Sequence, residues 1–141
     1  MKTSTLLRIA AVITFLYFAG HTAGMPWTPG MGPAELAVIE AMKANRFAAM
    51  GSSRTYWDFY FGFGVIISVM QLVQAVVLWQ LGALAKTEAA RLRPIIATFF
   101  AAFVANAVLG WMYFFILPVI MATVIAVCLG LAFVMAGKRS V

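Results

Sequence analysis

Residues 94–137, PIIATFFAAFVANAVLGWMYFFILPVIMATVIAVCLGLAFVMAG, run for 44 positions without a charged side chain. Two further uncharged stretches, Ile9–Ala34 and Phe59–Ala85, each contain an apolar core long enough to cross a bilayer, for which about 20 residues suffice. The 44-residue stretch is too long for one span and too uniform for a water-exposed linker, so it divides. Pro118 removes a backbone donor and biases Leu117 away from helix, which places a tight hairpin at Phe114–Pro118. The pattern then predicts four spanning helices, at about residues 5–24, 56–83, 94–113 and 119–137, in an all-α integral membrane four-helix bundle forming a single domain.

Composition supports this class. Apolar residues make up 65% of the 141 residues, charged residues 10%, and the mean hydropathy is +1.00, far from the range of a water-soluble domain. A chain this short cannot bury so much apolar surface within itself, so lipid must cover the remainder. The net charge of +6 would suggest nucleic acid if it formed a patch on a polar face, but the charges fall at helix ends, where they read as topology signals facing lipid head groups. Cys128 is the one cysteine and lies in an apolar run, which excludes a disulfide framework and a cysteine metal site.

With four spans, Lys2, Arg8, Lys86, Arg91, Arg93, Lys138 and Arg139 fall on one side and Lys43, Arg46 and Arg54 on the other. Seven against three orients both termini to the cytoplasm of a bacterial inner membrane, and a three-span division would split the basic clusters. Lys2 and Arg8 before an apolar stretch also resemble a secretory leader, but that stretch continues to Gly24 with no convincing Ala-x-Ala site, so the segment is expected to remain as a helix.

Residues 25–55 form the one long connection. Met25-Pro26-Trp27-Thr28-Pro29-Gly30-Met31-Gly32-Pro33 disfavours regular structure, and Trp27 suits the head-group interface. Pro33 and Glu35 then suit the first turn of a helix expected over about 33–50, stopping at Gly51-Ser52-Ser53. Ala37, Ala41, Ala44 and Ala48 would form one small-residue stripe on it, while Leu36, Ile39, Phe47 and Met50 share another face with Lys43 and Arg46. Such a helix serves either as a lid on the bundle or as an interfacial helix resting on the membrane.

Polar side chains at membrane depth are costly and need partners or roles. Thr14, Tyr17 and His21 make a polar stripe on the first helix; Trp57, Tyr60, Gly64, Ser68 and Gln71 make one on the second, with Asp58 beside its outer end; the third offers Asn106, Gly110 and Tyr113. Gln71 and Asn106 each lie twelve residues from the inner ends of their helices, a depth of about 18 Å, and could hydrogen-bond as interhelical glue. Nearer the outer surface, His21 is the only histidine and Asp58 the only acid in or beside a span. A carboxylate beside imidazole would suit proton transfer, with His21 and Asp58 as the catalytic pair; the plainer alternative is that both serve as helix-end groups beneath an ordinary aromatic belt of Trp57, Tyr60, Trp111 and Tyr113. Gly62 and Gly64 narrow the second helix, for close packing or for a ligand.

One histidine cannot supply both axial ligands of a haem, the spans lack the glutamates of a di-iron site, and no P-loop, dinucleotide motif, serine elbow or Cys-His dyad occurs; no cofactor and no metal are expected. A proton-coupled exporter of the small four-span kind would want a carboxylate deep in the first helix, which has none.

His21-Thr22-Ala23-Gly24 closing the first helix and Tyr56-Trp57-Asp58-Phe59-Tyr60-Phe61-Gly62-Phe63-Gly64 opening the second resemble a family of small, uncharacterised bacterial four-span membrane proteins. In span count and length the chain is also similar to DoxX-like proteins and to the EXPERA group, which includes membrane-embedded sterol isomerases and lipophilic-ligand receptors. The EXPERA enzymes use carboxylates inside the bundle with histidine; the spans here hold no glutamate, so the resemblance assigns no catalytic residue.

The expectation that follows is an inner-membrane protein with a pocket in its outer half for a lipophilic small molecule or lipid. Its lining would be Tyr17, His21, Trp57, Asp58, Tyr60, Gln71, Asn106, Trp111 and Tyr113, with His21 and Asp58 available to shuttle a proton. The alternative is a non-enzymatic partner subunit or homo-oligomer held through small-residue faces such as Ala101, Ala102, Ala105 and Gly110, and a small transporter comes third. Partners are then membrane lipids, a lipophilic ligand or a second copy, and not nucleic acid.

Overall fold

An apolar segment can satisfy its backbone N–H and C=O groups in lipid only as a helix or within a closed barrel, and this chain is helical. The computed structural model describes residues 2–24 and 30–137. Its elements are α1 (Thr3–Gly24), α2 (Pro33–Ala44), the strands β1 (Arg46–Ala49) and β2 (Ser52–Thr55), α3 (Tyr56–Leu84), α4 (Arg93–Tyr113) and α5 (Ile116–Ala136), with one 3-10 turn at Ala89–Leu92 before α4. Four helices are long and apolar enough to cross a membrane: α1 with 22 residues, α3 with 29, α4 with its preceding turn at 25, and α5 with 21. At about 1.5 Å per residue even the shortest spans ~32 Å, against ~30 Å of hydrocarbon.

The chain divides into two compact units. The first comprises residues 1–17 and 71–141. Its core is built from Leu6, Leu7, Ala10 and Ala11 of α1, Leu78 and Leu81 of α3, Ile96 and Phe103 of α4, and Ala122, Ile125, Ala126, Leu129, Ala132 and Ala136 of α5. The α5 set repeats at three and four residues and is mostly alanine, whereas Val124, Val127, Leu131 and Val134 face outward. Because the outward face is as apolar as the packed one, it is small size and not hydrophobicity that marks the packed face. Two glycines of the α4–α5 hairpin show how close the backbones come. A Cβ on Gly110 would lie 3.4 Å from Val119 Cγ2, and one on Gly130 would lie 3.1 Å from the Phe100 ring.

The break between α4 and α5 falls at Phe114 and Phe115, and α5 begins at Ile116, three residues before the expected start. Pro118 therefore sits inside the first turn of α5 and not in the hairpin. In the first turn the N–H that proline lacks would have no intrahelical acceptor in any case, so proline is tolerated there. Pro94 takes the equivalent position at the start of α4.

The second unit, residues 18–70, holds the largest departure from expectation. The helix expected over 33–50 ends at Ala44, where the Asn45 backbone N–H (3.0 Å) and side-chain Nδ2 (2.7 Å) both donate to Ala41 O. The next ten residues are an antiparallel hairpin pairing Arg46 with Thr55 and Ala49 with Ser52. Met50 and Gly51 form its two-residue turn with φ of 49° and 79°, the doubly positive backbone that a tight type I′ hairpin requires. Ala48 consequently leaves the alanine stripe, and α2 has no buried residue. Phe47 turns inward on its strand and meets the rings of Tyr56 (4.9 Å) and Phe59 (5.2 Å), fastening the hairpin to the start of α3. Trp27 and the prolines at 26 and 29 lie outside the described residues.

Candidate functional site

His21 and Asp58 belong to the same unit, and the structure does not bring them together. Thr55 ends β2 and caps α3: its Oγ1 accepts from the Asp58 N–H (3.0 Å), while Asp58 Oδ2 accepts from the Thr55 N–H (2.8 Å). This reciprocal pair is a capping box, and its carboxylate also complements the positive end of the helix dipole. The side chain of Asp58 is exposed. His21 instead meets Ser68, with Nδ1 3.0 Å from Ser68 Oγ, and Thr22 Oγ1 donates to the same oxygen at 2.9 Å. Asp58 and Ser68 stand ten residues apart on one helix, about 15 Å along its axis. The expected acid–base pair is therefore not formed; the carboxylate closes a helix start, and the imidazole joins a hydroxyl cluster a further three turns along.

That cluster is a tie between helices. Ser68 is 7% exposed, so its hydroxyl has no access to water and needs protein partners. Adjacent residues His21 and Thr22, in the last turn of α1, both converge on it. With Thr22 donating, the Ser68 O–H can in turn donate a hydrogen bond to Nδ1, which leaves the imidazole proton on Nε2.

The other candidate residues scatter. In the same unit, Trp57 is half-buried, 5.5 Å from the Tyr60 ring and under the Lys43 ammonium of α2 at 5.4 Å. In the first unit, Tyr17 packs against the core, while Trp111 and Tyr113 are 73% and 72% exposed and line no enclosed space. Gln71 is 8% exposed with its Oε1 lacking any hydrogen-bond partner, and Asn106 is exposed, so the expected amide pair between them is absent. Gly110 faces Val119 and is buried, so it does not share the outward face of Ala101, Ala102 and Ala105.

Sequence reasoning missed a second kind of site, at the basic end of the first unit. Arg8 of α1 crosses to α3, where its guanidinium carbon lies 4.9 Å from the centroid of Trp79 and its Cγ occupies the space beside Gly82, whose Cβ would meet it at 2.8 Å. Arg93 repeats the device: its guanidinium lies 4.4 Å over the Phe133 ring and against Gly137, at the C-terminal end of α5. Both arginines have a buried Nε without a hydrogen-bond partner. An arginine at the start of an apolar run, with an aromatic and a glycine three or four residues apart on another helix, was the available signal. Two shallow, open grooves also lie here: one of about 420 Å³ lined by Thr5, Arg8, Ile9, Val12, Ile13 and Trp79, and an adjoining one of about 330 Å³ that shares Val12 and Trp79. Among the described residues no cluster of histidine, cysteine or acidic groups could hold a metal ion. No family model, curated protein or solved structure matches the chain.

Proposed function

We propose that the chain is a non-enzymatic integral membrane protein of the inner membrane, with both termini cytoplasmic, that acts as an assembly subunit by pairing with a second copy through α4. The observation that carries this reading is the exposed Asn106. It lies thirteen residues into α4, about 20 Å from its basic end and hence at hydrocarbon depth. An amide facing acyl chains has no partner for its two donors and its carbonyl, a cost of about 4–8 kcal/mol on a water-to-cyclohexane scale. One turn back on that face lies the exposed Ala102, small enough for another helix to approach closely. Thr98, one turn further, already satisfies its hydroxyl by donating to Pro94 O at 3.1 Å.

The occupant that fits is a second copy. A carboxamide is self-complementary, so a twofold axis along the membrane normal brings two Asn106 side chains to equal depth, each donating to the other. An enzymatic reading, by contrast, loses its acid–base pair to Ser68 and Thr55.

Pairing of this kind contributes about 0.6–2 kcal/mol per hydrogen-bonded contact in a membrane, so Asn106→Leu, which removes both contacts of the symmetric pair, should weaken self-association by roughly 8-fold or more. In a Cys128→Ser background, Ala102→Cys should form an oxidative cross-link between chains in native membranes, and Asn106→Leu should reduce its yield. A chain that remains monomeric in nanodiscs, with no Ala102→Cys cross-link, overturns the proposal.

A further inference from the structure

We infer that an anionic phospholipid docks along the α1–α3 groove of the first unit, with its phosphate on Arg8 and an acyl chain in the trough beside Val12 and Trp79. The groove is apolar along its length except at the Arg8 end. Arg8 and Trp79 each lie five residues inside their helix ends, at Thr3 and Leu84, so both sit about 7.5 Å in, where head groups meet acyl chains.

Three features specify the ligand. The Arg8 stem packs against Gly82 and its guanidinium lies over the Trp79 ring, so little conformational freedom remains to be lost on binding. Among the described residues no carboxylate pairs with Arg8, and its buried Nε carries no hydrogen bond. The surroundings are basic: Lys2, Lys86, Arg91 and Arg93 lie at the same end of this unit, and the one acid there, Glu88, is taken by Arg91 at 3.3 Å. A planar guanidinium matches phosphate oxygens in a bidentate manner, and a zwitterionic head group would gain less from this field than an anionic one.

The test uses the full chain reconstituted in phosphatidylcholine vesicles carrying a small fraction of brominated-chain lipid, read as quenching of tryptophan fluorescence. Comparing the native chain with Trp79→Phe isolates the Trp79 signal from Trp27, Trp57 and Trp111. Brominated phosphatidylglycerol should quench Trp79 about fivefold more effectively than brominated phosphatidylcholine at equal fraction, the preference one basic contact provides. Arg8→Gln should remove most of the preference, and Arg8→Lys should keep part of it. Equal quenching of the native protein by the two lipids overturns the proposal without recourse to any variant. So does a Trp79 shielded from both lipids, since a helix of another protein molecule would then fill the groove. Neither outcome bears on pairing through α4.

Discussion

Ser68→Ala removes one oxygen and should loosen the end of α1 from α3. The hydroxyl receives Thr22 at 2.9 Å and meets His21 at 3.0 Å, and at 7% exposure water cannot take its place. Interhelical hydrogen bonds in membrane proteins average about 0.6 kcal/mol and reach ~1.7 kcal/mol. Two such bonds predict a loss of about 1–3 kcal/mol, measurable as a shift in the unfolding equilibrium in mixed micelles. The discriminating version is a double-mutant cycle. His21→Phe and Ser68→Ala should couple by about 0.6–1.7 kcal/mol, whereas His21→Phe and Asp58→Asn, which share no partner, should add within ~0.5 kcal/mol. Additivity of the first pair, or coupling of the second above that margin, would refute the assignment of His21 to Ser68 and restore the acid–base pair.

Two further substitutions test the segment that departs from expectation. Thr55→Ala removes the hydroxyl that caps α3 and should cost about 1 kcal/mol in the same unfolding assay, with Asp58→Asn weakening the same cap from the other side. Met50→Asn places a residue that tolerates positive φ where methionine now sits at 49°, and should stabilise the hairpin by up to about 1 kcal/mol; amide exchange at Ala49 and Ser52 would report it, and faster exchange would contradict the turn geometry.

Much of the helical order was legible because charge is nearly absent from the spans, and a run of about 20 apolar residues has few other uses. Boundaries set by local chemistry were less legible. Pro118 read as a hairpin residue, yet a first turn accommodates it, and the alanines after Asn45 read as helix, yet the asparagine caps the helix and Met50-Gly51 reverses the chain. For the site, periodicity drew stripes of Thr14, Tyr17 and His21 on α1 and of Trp57, Tyr60, Gly64, Ser68 and Gln71 on α3; of the latter Gly64, Ser68 and Gln71 are buried while Tyr60 is exposed. It could not say which depth on one helix meets which on the next. Asp58 therefore looked like a partner for His21 when three residues of sequence already gave it Thr55 as a capping partner. Packed faces within an apolar helix are equally hard to find, because the water that would distinguish inside from outside is missing. Only the alanines of α5 and the glycines at 82, 110 and 130 mark them.

The basic end of the first unit shows two kinds of positive charge with separate tasks. Lys2, Lys86 and Arg91 are exposed, Arg91 paired with Glu88, and take no part in the packing between helices. Arg8 and Arg93 are integrated into the packing: each lies across an aromatic ring and beside a glycine, and Arg93 stands at the negative end of the α5 dipole. Lysine could replace the charge at either position but not the planar contact with the ring. Gly137 lets the Arg93 guanidinium, and Gly82 the Arg8 stem, approach the neighbouring helix closely, since a Cβ there would lie 3.0 Å from Arg93 Cζ or 2.8 Å from Arg8 Cγ. Orientation and packing are thereby coupled at this end. The two charges that most strongly resist entering the hydrocarbon are also the ones that hold α1 to α3 and α4 to α5, so a topology that moved them into lipid would also undo the contacts that close the unit.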